Sequence, residues 1–209
     1  MGRLLFGDHA ARRVSTRIAS STATLADLKA FSPEQRVNGM LAVVAADNSM
    51  WRWSDAATAA GDDMLIAAPG TGTGRWLRAD GTADLALALS AATADAATVY
   101  TVPAGARVLV RRGYWEVTQA FTGGTSSAIG LSSSNAAYNT KGDLLGGAAG
   151  DLAATLTTGF KPGTIGAKTQ GGVLLVAGDT IRFDRIASAF TVGAGFAHFA
   201  VDILANPGL

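Results

Sequence analysis

Residues 39–79 read GMLAVVAADNSMWRWSDAATAAGDDMLIAAPGTGTGRWLRA and hold three of the four tryptophans in the chain. Met40 to Ala45 is a short apolar run, Asp47-Asn48-Ser49 supplies turn residues, and Met50-Trp51-Arg52-Trp53 alternates so that both indoles fall on one face. That pattern is a β-hairpin. A second apolar run, Met64 to Ala68, is stopped by Pro69 and Gly70 before Gly74-Arg75-Trp76-Leu77-Arg78 starts another strand. The expected unit is a β-module of about four strands with Trp51, Trp53 and Trp76 as its core. Some forty residues bury too little surface to stand alone without disulfides, metals or partners, and the chain has no cysteine. The module must therefore lean on a neighbour.

Composition bounds the rest. The 209 residues suit one or two domains with a sizeable core. A formal charge of +1 creates no global field for nucleic acid or an acidic surface. Without cysteine there are no thiol nucleophiles and no thiolate metal sites, which fits assembly in a reducing cytoplasm. No apolar run reaches the roughly 20 residues of a membrane helix, so no membrane partner is expected. The first residues carry arginines with no apolar segment after them, so no secretion signal is expected. Ala, Gly, Thr and Ser dominate, long solvated helices are disfavoured, and the fold class is all-β.

Residues 1–21 set Arg3, Arg12, Arg13 and Arg17 against a single acid, Asp8. The bland reading is a frayed basic terminus; the favoured one is an extended arm docked on another subunit. Ordering an arm costs about 1–2 kcal/mol per residue, so Leu4, Leu5, Phe6, Val14 and Ile18 would have to supply buried contact beside the arginines. The contact set is then Arg3, Leu5, Phe6, Arg12, Arg13 and Arg17. Nucleic-acid contact is the weaker alternative, because no aromatics interleave with these arginines.

Residues 22–80 form the Trp-rich module. It opens on one short helix between Thr24 and Phe31, with Thr24 as N-cap and Asp27 completing a capping box. Residues 81–97 read as a linker or edge segment, in which Leu85, Leu87 and Leu89 alternate with alanines as in a strand, although an Ala-rich helix fits nearly as well. Residues 98–209 carry short strands between glycine turns: 99–102, 107–111, 114–120, 128–131, 173–176, 180–183 and 196–204. This spacing predicts an antiparallel, jelly-roll-like β-sandwich.

The search for chemistry returns little. His9 and His198 lie in unrelated contexts, and alternation puts His198 on a face with Phe196, Ala200 and Asp202. Asp62-Asp63, Asp143 and Asp151 lack the ligand density calcium requires and read as turn formers. Glu34 and Glu116, the two glutamates, do not suggest one cleft. The loop Pro69 to Arg75 runs into a strand, not the helix of a phosphate loop. Arg75 and Arg78 are instead candidates to stack on Trp51 or Trp53. No catalytic residue, metal or cofactor is assigned, and the expectation is a non-enzyme.

The Trp-x-Trp hairpin with Asp, then Gly-Asp-Asp, an apolar strand ending in Pro, a Gly-rich loop and Gly-Arg-Trp-Leu-Arg resembles a module of tailed-bacteriophage virion proteins. The resemblance spans roughly residues 22–79 and includes the lead-in Thr24-Leu25-Ala26-Asp27-Leu28-Lys29-Ala30. Shorter pieces, Val102 to Gly105, Ala120 to Thr125 and Ala189 to Gly195, resemble C-terminal β-sandwich domains of such proteins. The resemblance implies a virion structural protein, a capsid decoration or cement protein that clamps the major capsid protein and copies of itself as a dimer or trimer. The alternative it implies is a tail fibre or spike component that attaches to the virion or binds a host receptor.

Overall fold

A computed structural model describes residues 18–123, 127–146, 156–163 and 171–205. The contact residues expected in the N-terminal arm, Arg3, Leu5, Phe6, Arg12, Arg13 and Arg17, lie outside the described residues, as do His9 and Asp151.

The first sheet is built from β1 (Ile18–Thr22), β2 (Leu41–Val44), β3 (Ser49–Ser54), β4 (Ile66–Ala67) and β5 (Arg75–Arg78), in the order β1-β2-β3-β5-β4. β2 and β3 form the hairpin, and Asn48 takes a positive φ of 54° at its turn, a conformation asparagine tolerates better than most residues. One correction concerns the arm: residues 18–21, assigned to it by sequence, belong with Thr22 to β1, which pairs in parallel with β2. Between them lies α1 (Leu25–Lys29), whose capping box has Asp27 N–H donating to Thr24 Oγ1 at 3.2 Å and Thr24 N–H donating back to Asp27 at 2.9 Å. A 3-10 turn, Pro33–Gln35, follows.

Trp51, Trp53 and Trp76 are buried at 1%, 2% and 0% exposure, with Leu28, Ala42, Val44 and Ala67 around them. Trp53 and Trp76 meet edge-on at 5.3 Å, and Phe31 closes the cluster 5.8 Å from Trp76. Such edge contacts match the ring quadrupoles. Of the two arginines expected to stack on indoles, only Arg78 does, 6.0 Å from the Trp51 ring; Arg75 donates to the Ala59 carbonyl, and Arg36 takes the face of Trp53 at 4.5 Å. The sequence gives no spacing that pairs Arg36 with Trp53, because the 3-10 turn brings them together.

The larger unit has two sheets. One is β11-β8-β14-β6, built from β6 (Thr82–Ser90), β8 (Arg107–Thr122), β11 (Gly159–Pro162) and β14 (Val192–Ala205), with β12 (Val173–Val176) also on β8. The other is β10-β9-β13-β7, from β7 (Thr98–Thr101), β9 (Ala128–Ser133), β10 (Leu145–Gly146) and β13 (Thr180–Ile186). Every pairing in this unit is antiparallel. Leu85, Leu87, Trp115, Val117 and Phe199 of the first sheet share one core with Ile129, Leu131, Ile181 and Phe183 of the second. The result is an all-β, sandwich-like fold with a Trp-centred sheet attached.

One expected boundary differs. Residues 107–111 and 114–120, read as separate strands, are one 16-residue strand, β8. The register to β14 slips between Ala200↔Arg112 and Val201↔Val110, so Arg111 is an inserted bulge residue. The bulge switches the buried parity from Val108 and Val110 to Trp115 and Val117. Residues 82–90, inside the expected linker or edge segment, form the edge strand β6 with Ala83, Leu85, Leu87 and Leu89 buried.

The two units meet through β4 and β5, which are buried on both faces. Ala67 and Trp76 join the tryptophan cluster, whereas Ile66 and Leu77, with Leu65, join the sandwich core. Asp62 holds the approach: its Oδ1 accepts from the N–H groups of Met64, Leu65 and Ile66 at 3.1, 2.8 and 2.8 Å, and its Oδ2 accepts from the Tyr100 hydroxyl at 2.9 Å. Burial, and then the Asp62 charge, push the Tyr100 phenol far above its usual range. Asp63 binds Lys29 at 2.8 Å.

Gly74 sits at φ 86°, where an added Cβ would stand 2.4 Å from Trp53 Cζ2. Gly74→Ala should therefore cost roughly 2–4 kcal/mol through left-handed strain and overpacking. Trp76→Ala should cost about 3–5 kcal/mol. Chemical denaturation of both variants checks this, and an unchanged midpoint for Trp76→Ala would refute the packing described.

Candidate interaction face

The outer face of the β11-β8-β14-β6 sheet gathers polar and aromatic side chains from all four strands. Because strands alternate, the residues that bury Trp115, Val117, Ala197 and Phe199 inward turn Tyr114, Glu116, Phe196 and His198 outward. The registers His198↔Tyr114 and Phe196↔Glu116 place these groups in adjacent rows, and Phe160 of β11 joins the second row opposite Glu116.

His198 is the centre. Its Nδ1 lies 2.9 Å from Asp84 Oδ2 and its Nε2 lies 3.0 Å from Glu116 Oε2. Tyr114 stacks on the imidazole at 4.6 Å with the planes 1° apart, and donates its hydroxyl to Asp84 at 3.3 Å. Burial first, and then the Asp84 charge, raise the Tyr114 phenol above its usual range, so it stays a neutral donor. Phe160 tilts against Tyr114 at 5.9 Å and Phe196 against His198 at 6.2 Å. Phe160 is 68% exposed, which is unusual for a residue that gains by burial.

The two carboxylates sit on opposite ring nitrogens, so with His198 they cannot converge on one ion. Among the described residues no group of three or more His, Asp or Glu side chains is arranged to hold a metal. Clamped between two acids and a stacked phenol, the ring is fixed in place. Beside it, the bulge exposes Arg111 and Arg112; Arg111 pairs with Asp202 at 2.6 Å. Open grooves run past Arg78, Thr82, Asp84, Arg112 and Ala200 and on toward Tyr114 and Pro162.

The sequence placed His198 with Phe196, Ala200 and Asp202 but could not supply its partners, since Asp84 and Glu116 are 114 and 82 residues away. Asp143, read as a turn former, accepts from Thr140 N–H at 2.9 Å.

One buried carboxylate escaped the sequence reading. Asp184 on β13 is 2% exposed and accepts from Ser132 Oγ and Gly142 N–H, both at 2.9 Å. Nearby, Lys141 binds Asp95 at 2.6 Å, and that hydrogen bond chiefly holds the Asp95 carboxyl below its usual range. Burial is the largest influence on Asp184 and pushes it above the carboxylate range, against the two hydrogen bonds.

The chain matches no protein-family model, no curated protein and no solved structure.

Because the folded Asp184 binds its proton more tightly than the unfolded chain does, its contribution is fully present below the ordinary carboxylate pKa and is lost as pH rises through the folded value. The stability of the native chain relative to Asp184→Asn should therefore be greatest in acid and decline toward neutral pH. Denaturant titrations at a series of pH values check this; a difference that grows with pH contradicts it.

Proposed function

We propose that the protein is a non-enzymatic structural component of a tailed-bacteriophage virion, a decoration or cement protein that binds major capsid protein on the head. The observation that carries this reading is the outer sheet face, where Phe160 and Phe196 stand exposed beside a charged cluster locked by its own hydrogen bonds. Exposed aromatics and arginine on a rigid sheet are the composition of protein-binding surfaces. The resemblance of residues 22–79 to virion modules supports the same reading, and assembly would take place in the bacterial cytoplasm. The N-terminal arginines would add a second contact.

A tail fibre or spike component is the second reading. One observation favours it: aromatic rings flanked by Asp84 and Glu116 are also groups that stack against and hydrogen-bond a sugar of a host receptor.

The test is an intact-particle reconstruction together with a retention assay. Density for the chain over capsomers in many copies is expected, and density confined to the tail would move the assignment to the second reading; absence from particles would remove both. Phe160→Ala with Phe196→Ala should weaken head retention about tenfold or more, as for central interface aromatics, with an unaltered melting temperature. Full retention by that variant would contradict binding through this face.

A further inference from the structure

We infer that β6 is a self-association edge, pairing antiparallel with β6 of a second copy about a two-fold axis at Ala86. The inference stands on the strand itself and holds wherever the protein resides.

Among the described residues β6 is the longest strand at a sheet edge, nine residues against four for β7 and five for β1. Its ladder to β14 runs from Ser90 to Asp202↔Thr82 with no register shift. The strand has no proline, glycine, lysine or arginine, the features that commonly blunt an edge. Its one charge, Asp84, is engaged by His198 and Tyr114.

The free edge can be read from the flanking bonds. Ala91 N–H donates to Gly193 O, and Ile203 N–H donates to Gly81 O, both at 2.8 Å. Odd-numbered residues thus turn their backbone groups toward β14, and even-numbered residues turn theirs away, since these directions alternate along a strand. Ser90 N–H, at the end of the outward set, is taken by Thr93 Oγ1 at 3.0 Å. Asp84, Ala86 and Ala88 are left with outward N–H and C=O groups that no bond among the described residues occupies.

That set is self-complementary. A two-fold axis at Ala86 opposes Ala86 to itself and Asp84 to Ala88, giving about six backbone hydrogen bonds with no like charges opposed. On the inner side Leu85 meets Leu87 and Ala83 meets Leu89, so the apolar pattern continues across the join. On the outer side the small Ala86 and Ala88 present no bulk to a second strand. The dimer would join two outer faces into one continuous sheet.

Analytical ultracentrifugation of the full chain should find a dimer, and amide exchange should find the Asp84, Ala86 and Ala88 N–H groups protected, with protection falling on dilution. Ala86→Pro removes an N–H that points away from β14, which an edge strand tolerates, and Ala86→Lys sets two cations face to face. Both should give folded monomer, judged by circular dichroism, while Phe160→Ala keeps the dimer mass. A monomeric native chain, or a dimer whose mass survives Ala86→Lys, would overturn the inference; should Ala86→Pro fail to fold through its fixed φ, the mass of Ala86→Lys and the exchange of the Asp84, Ala86 and Ala88 N–H groups decide it.

Discussion

The double burial of β4 and β5 is the constraint on which the remaining structure depends. A sheet of five short strands with one helix cannot bury enough apolar surface to offset its own chain entropy. Alternation solves this at two strands: Ala67 and Trp76 face the tryptophans, while their neighbours Ile66 and Leu77 face the sandwich. The Asp62 carboxylate fixes that geometry by tying the turn before β4 to Tyr100 of β7. From β5 the small sheet extends strand by strand, β3 on β5, β2 on β3 and β1 on β2.

Much of the fold was legible because local rules and tertiary needs agree. The Trp-x-Trp hairpin, the Thr24–Asp27 capping box and the run Val173 to Val176 each follow from residues close in sequence. Reading failed where an element depends on its partner. The bulge at Arg111 looks like a strand break, yet the parity change from Val110 to Trp115 was the available signal. Leu85, Leu87 and Leu89 could not be told from a helix until β14 supplied a ladder. β1 carries no strong pattern and is a strand because the open edge of β2 accepts it.

The candidate face was the least legible part. His198 drew attention as a lone histidine, but its meaning comes from Asp84 and Glu116, which other strands deliver to its two ring nitrogens. Arg36 over Trp53 is similar, since only the folded turn makes the contact. Side chains whose role is set by several strands leave no motif, and strand registers are what assemble them.

The central claim is that the tryptophan sheet and the sandwich form one cooperative unit joined at β4 and β5. In a Trp115→Phe variant, the remaining tryptophans, 51, 53 and 76, all belong to the small sheet, so indole emission reports that sheet while far-UV circular dichroism is dominated by the sandwich. Followed through one denaturant titration, the two signals should give coincident midpoints and slopes, as a two-state unit requires. Two separated transitions, with the emission change preceding loss of the sandwich signal, would contradict the account.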